Sequence, residues 1–131
     1  MYTGTTTLDL SDEELDELYT TERLKGYIFN ENEYLYLPPR EVNGKGDYFQ
    51  YRDGHIQRLK FPIISSSFTG KYKPRNPEQV FAFDMLKDPQ TTIKLITGRF
   101  GTGKTLLLVV GALEAIEQGR FDRIIWVRNN V

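Results

Sequence analysis

The sequence predicts an α/β fold: an incomplete parallel sheet built as one βαβ unit, preceded by a small antiparallel β module and an acidic N-terminal helix. Three observations lead there. Residues 10–22 carry a helix-start signal followed by acids and leucines. Residues 25–70 exchange helical periodicity for aromatics, β-branched residues and turn signals. From residue 71 the pattern runs helix, strand, glycine-rich turn, apolar helix, apolar strand. The expected organisation is therefore an acidic helical segment over 1–24, a β-rich module over 25–70 and the first part of an α/β domain over 71–131.

The 131 residues, 39% hydrophobic and 27% charged, suffice for one compact domain or two small ones and exclude wholesale disorder. No apolar run approaches the roughly 20 residues that span a bilayer. Met1-Tyr2-Thr3-Gly4-Thr5 lacks the basic flank and apolar stretch of a signal peptide. The absence of cysteine excludes disulfides and thiolate metal sites and suits a reducing compartment. The expected location is cytoplasmic, with no membrane partner. Net charge is −1, but residues 1–32 hold eight acids and two bases, and the remainder is basic by five. That balance fits a solvated acidic helix, and equally a mildly basic body that meets polyanions.

Taken in order, Met1 to Leu10 is threonine-rich and expected to fray. Ser11 and Glu14 form a capping box, with Leu10 and Leu15 spaced as a hydrophobic staple across it. The helix runs to about Glu22 and turns Leu15, Leu18 and Tyr19 inward. Residues 33–37 alternate like a strand that Pro38-Pro39 ends. Residues 47–52 form a second strand, Asp53-Gly54 a hairpin turn and residues 55–59 the returning strand. The module's aromatics (Tyr27, Phe29, Tyr34, Tyr36, Tyr48, Phe49 and Tyr51) have two readings: core and cross-strand pairs, or platforms for stacked bases. His55 lacks a partner ligand and belongs at the hairpin end.

Lys71 to Arg75 reads as a basic extended linker, since a residue before proline avoids the helical region. Asn76 caps a helix with Pro77 at its first position and Val80, Phe83, Met85 and Leu86 on its buried side; Asp88-Pro89 ends it. Thr92 to Thr97 is a β-branched strand. A helix from Lys104 to Gln118, apolar on most sides, closes at Gly119. Arg123 to Val127 is apolar enough for a buried parallel strand.

Between the last helix and the strand before it, Gly98-Arg99-Phe100-Gly101-Thr102-Gly103-Lys104-Thr105 fits G-x-x-x-x-G-K-[ST], and Leu106 continues the helix. Such a loop points backbone amides inward around phosphate oxygens, which needs glycine's conformations and close approach. The helix start adds unpaired amides and a positive dipole end. Lys104 is the expected catalytic cation between the β- and γ-phosphates, and the Thr105 hydroxyl the expected magnesium ligand. Arg99 is a solvated loop residue or a γ-phosphate or subunit contact. This makes the fold class that of a P-loop NTPase portion. Gln79, nineteen residues before Gly98, carries two readings: a capping box with Asn76, or an amide that pairs with adenine through a donor and an acceptor together.

The stretches Lys73 to Gln79, Phe83 to Leu86, Ile93 to Gly98 with the phosphate loop, and Ile125 to Arg128 together resemble the PhoH family, ATPases related to superfamily-one helicases. The resemblance covers residues 71–131; the earlier part looks like the segment that joins an N-terminal PIN nuclease domain to the ATPase in longer members. It implies ATP and Mg2+ as cofactors, RNA unwinding or remodelling, and ring-shaped homo-oligomers. A glutamine ahead of the phosphate loop reads adenine in such ATPases, which the resemblance carries over to Gln79. Two departures stand. Arg128 is followed by Asn129 where the family has proline. No later acidic motif holds magnesium or positions water, and Asp122 lies at the wrong end of its strand. Only 33 residues follow Gly98, so the expectation is the N-terminal portion of a larger ATPase, binding nucleotide weakly, hydrolysing little and lacking nuclease activity. The rival readings are a P-loop kinase for a small metabolite and a non-enzymatic nucleotide-binding or assembly module.

Overall fold

The computed structural model describes residues 2–98 and 103–127. The chain divides into two compact units, one ending at Phe61 and the other beginning at Pro62.

The first unit holds β1 (Thr5–Thr7), α1 (Asp12–Thr21), β2 (Tyr34–Leu37), β3 (Asp47–Arg52) and β4 (His55–Arg58). The four strands form one sheet in the order β1-β2-β3-β4. β1 pairs parallel with β2, and the other pairs are antiparallel. The sheet is thus mixed, and the threonine-rich start forms a strand where fraying was expected. Its anchor is buried Glu33, whose carboxylate accepts from Thr6 Oγ1 (2.7 Å) and from the backbone and side-chain nitrogens of Asn30. A buried carboxylate persists only when its oxygens are satisfied in this way.

The capping box forms as the sequence implies. Ser11 Oγ accepts from Glu14 N–H, and the Glu14 carboxylate accepts from Ser11 N–H at 3.0 Å. That backbone bond is the largest cause holding the Glu14 carboxyl below its ordinary pKa. Asp53 and Gly54 both have positive φ, 54° and 79°, the backbone of the tight hairpin turn. Leu35 lies opposite Phe49, and both are buried with Leu8, Leu10, Leu18, Leu24, Leu37 and Ile56. On the other face Tyr36 lies opposite Tyr48, stacked at 5.5 Å. The aromatics pair with one another: Tyr19 tilts against Phe49, and Phe29 sits between Tyr27 and Tyr51. Gly46 is required where it stands, since a Cβ would come within 2.7 Å of Leu37 O and the Tyr36 ring.

The second unit holds β5 (Ile64–Ser66), β6 (Gly70–Tyr72), α2 (Pro77–Lys87) and α3 (Lys104–Glu117). β5 and β6 form an antiparallel pair, so residues 71 and 72 belong to a strand where a linker was expected. Ile64, Phe83 and Val110 form the core, with Tyr72, Leu86 and Leu107 packed on it. This explains a division at 61/62 where composition suggested 70/71: the hairpin buries Ile64 between the helices. Helix side chains bond the backbone of β5 and of the residues that flank it, where a neighbouring strand would otherwise pair. Glu114 accepts from Ser65 N–H and Glu117 from Ser67 N–H, both at 2.7 Å, while Lys87 Nζ donates to Ile63 O.

The expected βαβ unit is the main correction. Residues 92–97 and 123–127 are not strands, and neither pairs with another strand among the described residues. Residues 92–97 keep the alternation of a strand without its ladder. Ile93 and Leu95 are exposed, whereas Lys94 is half-buried and donates to Leu86 O (3.1 Å) and Asp88 O (2.7 Å). Burial is the main cause lowering the Lys94 pKa. A strand needs a partner for its N–H and C=O groups, and an apolar sequence alone does not supply one.

Candidate functional site

The site begins at two helix starts. At α2, Asn76 Oδ1 accepts from Gln79 N–H at 2.8 Å, with Pro77 in the first turn. Gln79 Oε1 reaches back to Arg75 N–H, also at 2.8 Å, one residue before the partner a standard capping box uses. The capping reading of Asn76 and Gln79 therefore holds in a shifted form. It engages the amide oxygen of Gln79 and not its nitrogen.

At α3, Gly103 is the N-cap with φ 81°, a left-handed conformation that favours glycine. It has no side chain to cap the helix, and the first turn contains no acid. No carboxylate of the first turn therefore neutralises the positive end of the helix dipole. Lys104 Nζ donates to Gly98 O at 2.6 Å, a bond from the first residue of α3 to the first glycine of the motif. Thr105 and Leu106 are exposed in the first turn. Arg99, Phe100, Gly101 and Thr102 lie outside the described residues, as do Arg128 and Asn129.

The two helix starts open on one cavity of about 370 Å³. Asn76, Glu78 and Gln79 line it from α2, and Thr97, Gly98 and Lys104 from the loop and α3. The structure thus brings together Gly98, Lys104, Asn76 and Gln79 from the expected set. Thr105 and Leu106 do not line this cavity, although they adjoin Lys104 in sequence. Sequence reasoning missed Glu78; the available signal was its place beside Gln79 in a helix start whose first turn faces the cavity. A larger hollow of about 680 Å³ runs beside Leu86, Leu108, Gly111 and Ala115, with unpaired residues 123 and 124 at its rim. It has none of the loop residues and is mainly apolar, so it is not the chemical centre. Among the described residues, no cluster of three His, Cys, Asp or Glu side chains fits a metal, and no helix is long and apolar enough to cross a membrane.

The family model described as PhoH-like protein matches residues 71–131. Protein PhoH2 of Thermobispora bispora is 45% identical over 53 residues, which cover 40% of this chain and 12% of that protein. Protein PhoH2 of Bacillus subtilis is 25% identical over 134 aligned residues, covering 98% of this chain and 30% of the relative. The chain therefore spans less than a third of either curated relative. No solved structure matches.

Proposed function

As a member of the PhoH-like family through residues 71–131, this chain is, we propose, the ATP-binding part of a PhoH-like ATPase. The observation that carries this reading is the shared cavity of Gln79, Gly98 and Lys104. A base at Gln79 and phosphates at Lys104 fit the two ends of one nucleotide. The Lys104 ammonium and the positive dipole end of α3, which no acid of its first turn neutralises, supply positive charge for phosphate oxygens. Binding requires Lys104 to exchange the Gly98 carbonyl for a phosphate oxygen, a stronger charge-assisted acceptor.

The residues also fit magnesium in one limited sense. The exposed Thr105 hydroxyl is a hard oxygen donor beside Lys104, and the remaining ligands would be phosphate oxygens and water. When bound, the ion supplies charge neutralisation across the β- and γ-phosphates. Residues Arg99 to Thr102 are proposed to complete the loop, and Leu106 to continue its helix. By family resemblance alone, the complete protein couples ATP hydrolysis to RNA remodelling, as a homo-oligomer.

The test is equilibrium binding of ATP to the 131-residue chain with and without magnesium. Lys104→Ala should weaken binding at least about tenfold, as loss of one charge-assisted contact implies. Unchanged affinity in that variant would overturn the reading. The chain itself should turn over little ATP, and sustained turnover lost in Lys104→Ala would overturn that part. Stimulation of the complete protein's ATP consumption by RNA, and not by small phosphate acceptors, is the expected result for the proposed work.

A further inference from the structure

A nucleotide's base would meet two side chains in this cavity, and only one of them is committed elsewhere. Gln79 Oε1 already accepts from Arg75 N–H at 2.8 Å. Its Nε2 group is the part of the amide suited to new contacts, and it only donates. Glu78, the preceding residue, lines the same cavity as Gln79, Gly98 and Lys104. It is exposed, and among the described residues its carboxylate makes no hydrogen bond or ion pair. An ionised carboxylate only accepts.

Donor and acceptor therefore stand on adjacent residues of the first turn of α2. Adenine presents a matching edge: an exocyclic amine that donates beside a ring nitrogen that accepts. Guanine carries an oxygen in place of that amine. That oxygen would meet a carboxylate with no proton between them, a repulsive contact that disfavours guanine.

We propose that Glu78 determines base specificity, its carboxylate accepting from the exocyclic amine of adenine while Gln79 Nε2 donates to the neighbouring ring nitrogen. This rests on the nucleotide reading above and adds to it the residue that rejects guanine. A purely structural role for Glu78 also has a physical basis, because an acid in the first turn suits the helix dipole. That role predicts a change in stability and none in base preference, so the two are separable.

The experiment measures ATP and GTP affinity of the 131-residue chain by competition against a fluorescent nucleotide, for wild type and Glu78→Gln. Glutamine keeps the size and hydrogen-bonding capacity of the side chain but can donate to guanine's oxygen as well as accept. The expected result is an ATP preference in the wild type that falls about tenfold in the variant, mainly through tighter GTP binding, within the range of one base-reading pair. A thermal melt of both proteins separates folding from recognition. Equal affinities in the wild type, or an unchanged ATP-to-GTP ratio in Glu78→Gln, would overturn the proposal and leave the second lone pair of Gln79 Oε1 or the helix dipole as the explanation. Lys104→Ala distinguishes the underlying reading: nucleotide binding that does not respond to it, or no binding by the wild type, overturns both.

Discussion

In the first unit Leu35 and Phe49 face each other across paired strands, with 0% and 2% of their surface exposed. In the second, Ile93 and Leu95 have the same alternation and the same apolar character, yet are 88% and 80% exposed. The difference lies in neighbours and not in residue type. β2 and β3 satisfy one another's backbone, and α1 covers the face they share through Leu18. Residues 92–97 and 123–127 find no such partner among the described residues. Strand propensity states that a segment suits a pleated, half-buried surface; the ladder decides whether a strand exists.

The sharpest way to test that contrast is a pair of large-to-small substitutions. Phe49→Ala should cost about 3–5 kcal/mol, because it removes a buried ring and leaves a cavity beneath α1. Trp126→Ala, at a ring 57% exposed, should change stability by no more than about 0.5 kcal/mol. Chemical denaturation of both variants measures this. A cost above about 1 kcal/mol for Trp126→Ala would mean that residues 123–127 are packed in solution, and the contrast between the units would fail.

The sequence carried the local devices well because each depends on near neighbours. The Ser11 and Glu14 box, the Asp53-Gly54 turn and the Asn76 cap with Pro77 all close within a few residues. Partnerships made at long range were not legible. Nothing in Thr5 to Thr7 announces a parallel partner at Tyr34, and the Thr6–Glu33 bond that ties them spans 27 residues. Nor does Lys71 announce that it faces Ser65. The candidate site was legible in its two separate motifs, 19 residues apart. That Glu78 shares their cavity depended on how α2 packs against α3, where Leu86 approaches Gly111 closely enough to touch an added Cβ at 3.2 Å.

An intermediate effect concerns how the second unit holds its hairpin. Glu114 is 2% exposed and supplies the acceptor for Ser65 N–H, with Lys87 at 3.7 Å from its other oxygen. Glu114→Ala leaves that amide without its acceptor and should cost about 1–3 kcal/mol. Glu114→Gln retains an acceptor oxygen and should cost less. Hydrogen exchange at the Ser65 amide reads the difference directly: protection lost with alanine and kept with glutamine. Equal protection in all three proteins would show that β5 does not depend on α3 for its free edge, and would weaken the parallel with a true neighbouring strand.

The smallest effect belongs to the first unit and is a matter of pH. The Tyr19 hydroxyl donates to Asp47, which also accepts from Arg58 Nη2 at 2.6 Å. Burial, then the Asp47 bond and charge, push the Tyr19 pKa up to about 12 from 10.0, against a smaller opposing pull from Arg58. The fold thus favours neutral tyrosine over tyrosinate. Its contribution is fully present below pH 10, the unfolded value, and is lost as pH rises towards about 12. Because Tyr19 is 51% exposed, solvent screening keeps the stabilisation below about 1 kcal/mol. Denaturation midpoints of wild type and Tyr19→Phe, measured on either side of pH 10, isolate it. The wild type should lose more stability across that window than the phenylalanine variant. Parallel losses would mean that the Tyr19–Asp47 bond does not outcompete water, and that the first unit's closed core, not its polar edge, accounts for its order.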